Sequence, residues 1–173
     1  MKPRPKLHRV RRIDEKIIAN LVRFYVYDMS EHMGWDCPKN GLFGGCDDLP
    51  KYWTARGNQA FLIRSGKELV GFALVEANPE HGVDYRIGEF FVLRKFRRKR
   101  VGERIAREIF DRFRGRWQVE QLKKNTPAVE FWREVIRRYT RGKFSEKSSV
   151  SQFGRHNVIM FRNDTPTMHQ KSS

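Results

Sequence analysis

The period of the hydrophobic pattern changes between residues 93 and 101. Residues 83–93 alternate between apolar and polar side chains, whereas residues 101–113 repeat apolar side chains every four positions. The first period is that of a strand and the second is that of an amphipathic helix. Six of the seven intervening residues, Arg94 to Arg100, are basic. The sequence therefore predicts a strand, a basic turn and a helix in direct succession.

The rest of the chain adds elements of both kinds. Helices are predicted over residues 14–33 and 126–139, with Thr126 as the cap of the second. Residues 34–53, rich in Gly, Pro, Asp and Asn, are predicted to form a loop or a broken helix. Strands are predicted over 7–11, 59–64, 68–77, 116–122, 143–147 and 156–162. This order predicts an α/β fold with a mixed, mostly antiparallel sheet of six to seven strands, flanked by about four helices.

Two side-chain patterns define the predicted faces of the central elements. In the strand over 83–93, alternation places five apolar residues on one face, interrupted only by Glu89. These five are Val83, Tyr85, Ile87, Phe91 and Leu93. In the helix over 14–33, Ile17, Leu21, Phe24 and Asp28 are predicted to fall on one stripe, with Ile18, Val22 and Tyr25 beside it.

Length and charge limit the classes of function. The 173 residues suit one domain over 1–162 followed by a polar tail over 163–173, which is predicted to be disordered. A net charge of +16 favours polyanionic partners, namely nucleic acid, an anionic membrane surface or a phosphorylated cofactor.

Cys37, Cys46 and the five histidines show no metal-site spacing, so no metal is predicted. With no signal-peptide pattern and no membrane-spanning apolar run, we expect a soluble cytoplasmic protein.

The basic turn lies where a helix begins, and this position suggests a ligand. A helix N-terminus presents unpaired N–H groups and the positive end of the helix dipole, which together bind phosphate. Arginine side chains nearby add charge-assisted hydrogen bonds. The alternative is a solvated basic turn, but charge at a strand-to-helix junction favours an anion site.

Two short segments carry a resemblance to a known family. "FRRKRVGERIA" resembles the acyl-CoA-binding motif R-x-x-G-x-G/A of the GNAT superfamily of N-acetyltransferases, with Arg97 and Gly102 matching and Arg100 at the first Gly. "KKNTPAVEFW" resembles the family's N-x-x-A-x-x-F-Y segment, in which Asn125, Ala128 and Phe131 match and Trp132 replaces Tyr. The predicted element order also matches the family from about residue 7 to residue 162.

The resemblance implies a GNAT-like fold that takes acetyl-CoA as co-substrate. In such proteins the pantetheine arm pairs with the fourth strand in a V-shaped gap beside the fifth, and the pyrophosphate sits on the following loop. The implied cofactor-binding residues are Phe91, Val92, Leu93, Arg97, Arg98, Lys99, Arg100, Val101, Gly102, Glu103, Arg104, Asn125, Ala128, Phe131 and Trp132.

Glu89 is the candidate general base. A carboxylate on an otherwise apolar strand face is expected to have a raised pKa, which suits it to accept a proton from an amine. Many family members carry a working carboxylate on this strand. The alternative is a Glu turned outward by a β-bulge, or a structural ion-pair partner. The family's Tyr acid is absent, since Trp132 cannot donate a proton in that way, and we do not transfer the role to Tyr139.

The acceptor is predicted from charge. Residues 28–53 hold five acidic residues against two basic ones, in a chain that is otherwise strongly basic. The excess of negative charge favours a cationic acceptor such as a polyamine, an aminoglycoside-like sugar or a protein lysine. Neighbouring aromatic residues could supply cation–π contacts. Asp28, Glu31 and Trp35 are the candidate acceptor residues.

Two other functions stay open at this point. Basic runs at 9–12, 94–100, 112–116 and 137–143 suit nucleic-acid binding, although no helix-turn-helix, RRM, KH or zinc-finger pattern is present. Arg100 and Trp132 leave room for an acyl-CoA-binding module without turnover. A homodimer through the C-terminal strands is a further possibility.

Overall fold

The computed structural model describes residues 3–45 and 48–164, so Cys46, Asp47 and the predicted tail from residue 165 onward lie outside the described residues. The strands are β1 (Lys6–Arg9), β2 (Gln59–Ser65), β3 (Glu68–Glu80), β4 (Val83–Val92), β5 (Arg116–Leu122), β6 (Phe144–Ser151) and β7 (Gly154–Arg162). The helices are α1 (Glu15–Met33), α2 (Lys51–Thr54), α3 (Val101–Arg112) and α4 (Thr126–Thr140). Single 3₁₀ turns precede α1 and follow β4.

All seven strands form one sheet in the order β1-β2-β3-β4-β5-β7-β6. Among the described strands, only β4 and β5 are parallel neighbours, and α3 is the crossover between them. Parallel neighbours need such a crossover, and the predicted strand, basic turn and helix supply it. The predicted fold class is therefore confirmed.

A hydrophobic core lies on each side of the sheet. One core packs α3 and α4 against the central strands around the fully buried Trp117. The other core packs α1 and α2 on the opposite face, around Phe72 and Leu74. None of the helices in the described ranges has the length and hydropathy needed to cross a bilayer.

The buried stripe of α1 differs from the predicted one. Ile18, Leu21, Val22 and Met29 are buried, whereas Phe24 is 56% exposed. The sequence pattern allows either of two neighbouring stripes to be buried. The stripe centred on Ile18 is the one that packs against the sheet. Phe24, which was predicted to share a stripe with Leu21, therefore lies on the exposed side of α1.

The predicted cap of α4 is also displaced by one residue. Asn125 is the N-cap, and its side-chain oxygen accepts a hydrogen bond from the Ala128 N–H at 3.2 Å. Thr126 is already helical and Pro127 follows it in the first turn, where the missing N–H of proline is tolerated. Asn is as good a capping residue as Thr, so the pattern alone did not separate them.

The alternation of β4 is broken by a bulge. Ile87 pairs with Val75 and Glu89 pairs with the next residue, Leu74, so Gly88 is the extra residue. Ile87 faces the α3–α4 core, whereas Phe91 faces the α1–α2 core. The prediction that Val83, Tyr85, Ile87, Phe91 and Leu93 share one face was therefore wrong, because an extra residue reverses the alternation beyond it.

Asn163, which directly follows the predicted domain boundary at residue 162, is held by side-chain hydrogen bonds. The Asn163 side chain donates to the carbonyl of Phe110 at 2.6 Å, and its oxygen accepts from the Gly115 N–H at 2.8 Å. Asn163 thereby ties the end of β7 to the end of α3. That residues 1–162 act as one unit stays a prediction.

Candidate functional site

β4 and β5 separate in the middle of the sheet. They pair only at three positions, from Tyr85–Trp117 to Ile87–Val119, and the separation begins at the Gly88 bulge. Beyond it, residues 89–92 and 120–122 pair with their outer neighbours only. We call the opening between these two segments the fork. The edge of β4 that faces the fork has no strand partner among the described residues, so an extended ligand can pair with it.

Aromatic side chains line one side of the fork. Phe90 of β4 stacks on Phe131 of α4 with 6.1 Å between ring centroids, and Trp132 meets Phe90 edge-on at 5.0 Å. A Cβ atom at Gly102 would lie 3.0 Å from Cζ of Phe131. Glycine at position 102 therefore lets α3 approach the Phe131 ring closely, which gives the motif residue a packing role.

The N-terminus of α3 opens beside the fork. No described side chain caps this helix, and its first intrahelical bond runs from the Arg104 N–H to the Arg100 carbonyl at 3.1 Å. The N–H groups of residues 101–103 are therefore available to an anion, as helix geometry requires. Arg98 and Arg100 have positive φ angles of 58° and 56°. The basic turn thus winds through two left-handed residues before the helix starts.

The positive φ of Arg100 explains why the resembling motif has glycine there, and it supports a stability prediction. A non-glycine residue in this region costs roughly 1–2 kcal/mol, part of which glycine gives back as unfolded-chain entropy. We expect Arg100→Gly to stabilise the fold by about 0.5–1 kcal/mol, measured by denaturant unfolding. Lys99→Gly is the matched control because Lys99 has no positive φ. Equal effects of both substitutions would contradict the assignment.

The basic side chains of the turn divide into two groups. Arg97 donates from Nε to the Val92 carbonyl at 2.7 Å, and its guanidinium pairs with Asp28 of α1. Arg94 also pairs with Asp28, at 2.9 Å. Arg98 and Lys99 are exposed and form no hydrogen bond or ion pair within the described part of the chain. Arg97 therefore fastens the turn to α1, whereas Arg98 and Lys99 are available to a ligand.

Other predicted cofactor residues have partners within the protein. Arg104 donates to the Pro5 carbonyl at 2.8 Å, and Glu103 pairs with Arg138 at 3.3 Å. Asn125 caps α4 and donates to the sulfur of Met29 at 3.3 Å, which links α4 to α1. These side chains hold the elements around the fork in place.

The acidic segment over 28–53 is less negative in the fold than in the sequence. Asp28 faces two arginines, Asp48 pairs with Lys51 at 3.3 Å, and Glu31 lies 3.8 Å from Arg94. Two arginines from outside the segment, Arg94 and Arg97, thus offset part of the excess counted along the chain. Glu31 is 71% exposed at its side chain, and Trp35 lies on the surface nearby. A cationic acceptor is therefore favoured mainly by Glu31 and by Asp36, which is exposed and forms no ion pair within the described residues.

Glu89 lies directly after the bulge, on the α1–α2 face of the sheet. Burial raises the pKa of its carboxyl to about 7, and the charge of Glu76 raises it further, whereas a hydrogen bond from Tyr25 and the charge of Lys51 oppose the rise. A carboxyl with a pKa near 7 exchanges protons readily at neutral pH. Glu89 is half-buried, so the bulge turns it onto the α1–α2 face without exposing it fully to solvent.

Glu76 of β3 is the opposite kind of carboxylate. Burial disfavours its charge, but hydrogen bonds from Lys51, Arg86 and Tyr52 outweigh this and hold its pKa below the usual range. Two neighbouring carboxyl groups with pKa values pushed apart are typical of acid–base sites. Sequence reasoning missed this group, although Glu76 is a lone charge in an apolar strand run and carried a signal.

The residue at the family's Tyr position lies in the core. Trp132 is buried against Phe90 and Phe110. The Tyr139 hydroxyl donates to Asp111 at 2.9 Å, near the end of α3 rather than at the fork. Within the described ranges, no group of three or more His, Cys, Asp or Glu side chains is arranged to hold a metal ion.

Comparison with known proteins agrees with this geometry. The model of the acetyltransferase (GNAT) family matches residues 26–135, more than half of the chain. No protein with a curated description matches the sequence. The chain belongs to the acetyltransferase (GNAT) family.

Solved structures share the fold at low sequence identity. An acetyltransferase from Thermus thermophilus has a TM-score of 0.66 at 15% identity, covering 94% of this chain and all of the other. A chimera of spermidine N-acetyltransferase from Vibrio cholerae and hSSAT has a TM-score of 0.59 at 14% identity, covering 92% and 96%. A Bacillus anthracis protein in complex with acetyl coenzyme A has a TM-score of 0.51 at 13% identity, covering 66% and 67%.

Proposed function

We propose that the chain transfers the acetyl group of acetyl-CoA to a primary amine, with Glu89 as general base. The observation that carries the proposal is the separation of β4 from β5 at the bulge that bears Glu89. The fork offers a strand edge to the pantetheine arm, and the N–H groups at the start of α3 offer a site for pyrophosphate. Arg98 and Lys99 add charge at that site.

The reaction needs the amine in its neutral form. A lysine-like amine with a pKa of about 10.4 is almost wholly protonated at pH 7 and has no lone pair to donate. Ionised Glu89 accepts the proton, and the nitrogen then attacks the thioester carbon. The C–S bond breaks as the C–N bond forms, and the second proton that the nitrogen then loses passes through water to the CoA thiolate. Activity is therefore expected to rise with pH as Glu89, with its pKa of about 7, ionises.

The acceptor we propose is a cationic small molecule or a protein lysine. Glu31 is exposed beside the aromatic surface of Trp35, at the end of α1 that follows Asp28. An ammonium group is attracted by such a carboxylate and by aromatic ring faces. The spermidine N-acetyltransferase chimera among the similar structures supports a cationic acceptor.

Release of CoA thiol tests the proposal. Wild-type protein with acetyl-CoA is assayed against spermidine, an amino sugar and a lysine-containing peptide. We expect thiol release that depends on an amine and that increases from pH 6 to pH 8. Thiol release at the same rate without any amine, or none with any amine, would contradict the proposed transfer.

A further inference from the structure

The bulge that orients Glu89 needs glycine at position 88, because there is no room for a side chain there. A Cβ atom at Gly88 would lie 2.0 Å from the Tyr52 hydroxyl oxygen and 3.1 Å from Oε1 of Glu76. The hydroxyl of Tyr52 therefore occupies the space that a side chain at position 88 would need. Position 88 accepts only glycine while Tyr52 stands there.

Hydrogen bonds fix the Tyr52 hydroxyl in this place. It donates to Oε1 of Glu76 at 2.8 Å, and both residues are buried, with 4% and 7% of their surface exposed. Glu76 also pairs with Lys51 at 2.8 Å and accepts from Nε of Arg86 at 3.1 Å. Lys51 and Tyr52 belong to α2, Glu76 to β3 and Arg86 to β4, so one carboxylate joins three elements around the bulge.

We propose that Tyr52 and Glu76 are positioning residues for Glu89. The Tyr52 hydroxyl, held by Glu76, keeps Gly88 in the bulge, and the bulge turns the Glu89 side chain toward Tyr25 and the α1–α2 face. Without the bulge, alternation would place residue 89 on the Ile87 side of the sheet, in the α3–α4 core. The inference rests on the proposed role of Glu89, and it adds that a residue of α2 holds Glu89 in position.

The same cluster sets how readily Glu89 holds a proton. The groups that act on Glu89 are Glu76, whose charge raises its pKa, and Tyr25 and Lys51, which lower it. Removing the Glu76 charge leaves Lys51 and Arg86 without their common carboxylate. Both effects favour ionised Glu89, so its pKa should fall.

The test titrates the Glu89 carboxyl by NMR in protein labelled at glutamate Cδ, with Glu89→Gln identifying the signal. In the wild type we expect a midpoint near pH 7. In Glu76→Gln we expect the midpoint to move toward the ordinary glutamate range. Glu134→Gln is the matched control, because Glu134 also accepts hydrogen bonds from arginine side chains but lies on the outer side of α4. In Glu134→Gln, the titration midpoint of Glu89 should equal the wild-type midpoint.

Tyr52→Phe is the second variant, because it keeps every charge and the ring while removing the hydroxyl. We expect kcat to fall about 10- to 100-fold with the acetyl-CoA Kd unchanged, since a displacement of about 1 Å at a catalytic group has this effect. Tyr27→Phe, an exposed tyrosine of α1, is the control. Unchanged kcat in Tyr52→Phe together with an unchanged Glu89 midpoint in Glu76→Gln would overturn the inference.

The titration needs neither acetyl-CoA nor an acceptor. A shifted midpoint in a protein that releases no CoA would therefore refute the proposed function and retain the positioning role. CoA release that is unaffected by Tyr52→Phe, with no shift of the Glu89 midpoint in Glu76→Gln, would retain the proposed function and refute the positioning role.

Discussion

Glu89→Gln is expected to lower kcat for acetyl transfer by about 100- to 10,000-fold at pH 7.5, the usual contribution of a general base. Glutamine matches the size of Glu89 and can still accept the hydrogen bond from Tyr25, but it cannot accept the proton of the amine. The rise of kcat near pH 7 should disappear with the carboxyl. Initial rates of CoA release between pH 5.5 and pH 9 measure both effects.

Stability separates lost chemistry from lost folding in this variant. The pKa of Glu89 is higher in the folded chain than in the unfolded one, so the unfolded chain releases this proton first and stability falls as pH rises from about 4.5 to about 7. Glutamine removes that loss. Glu89→Gln should therefore be at least as stable as the wild type at pH 8. A pH profile of activity identical to that of the wild type would exclude Glu89 from the reaction.

The double variant Arg98→Glu with Lys99→Glu is expected to weaken acetyl-CoA binding by about 100-fold or more. A hydrogen bond to a charged group is worth about 1.5–3 kcal/mol, and two are lost here while repulsion is added. Arg97 is unsuited to this test, because it fastens the turn to Asp28 and Val92 and its reversal would disturb the fold. Isothermal titration with acetyl-CoA measures the loss of affinity.

The matched control reverses Arg141 and Lys143. These residues follow the C-terminal end of α4, about 20 Å of helix away from the fork, and the net charge changes by the same amount. Affinity should fall little, through long-range electrostatics alone. Equal losses in the two double variants would mean that overall charge, rather than the turn at the start of α3, binds the ligand.

Much of the fold could be predicted because local patterns and topology agree. The boundaries of β5 match the prediction, α3 begins at the predicted residue, and α4 begins one residue before its predicted first helical residue. The four-residue apolar repeat and the parallel crossover left few alternatives for this region. The loop-rich segment around α2 was described only loosely, since a four-residue helix leaves a weak periodic signal.

The site was harder to predict because it depends on contacts between distant residues. The bulge at Gly88 follows from the position of Tyr52, which lies 36 residues earlier and leaves no trace in the strand pattern. The pairing of Asp28 with Arg94 and Arg97 likewise joins α1 to a turn more than 60 residues away. Counting charge along residues 28–53 could not include those arginines.

The most direct test of the account is calorimetric titration of the wild-type protein with acetyl-CoA at 50 mM and 300 mM salt, beside a short DNA duplex. We predict that acetyl-CoA binding persists at the higher salt, because fixed N–H groups and the β4 edge contribute to binding as well as charge. Nonspecific binding to DNA should weaken steeply over the same range. Salt-sensitive DNA binding with no binding of acetyl-CoA would contradict the acetyltransferase account.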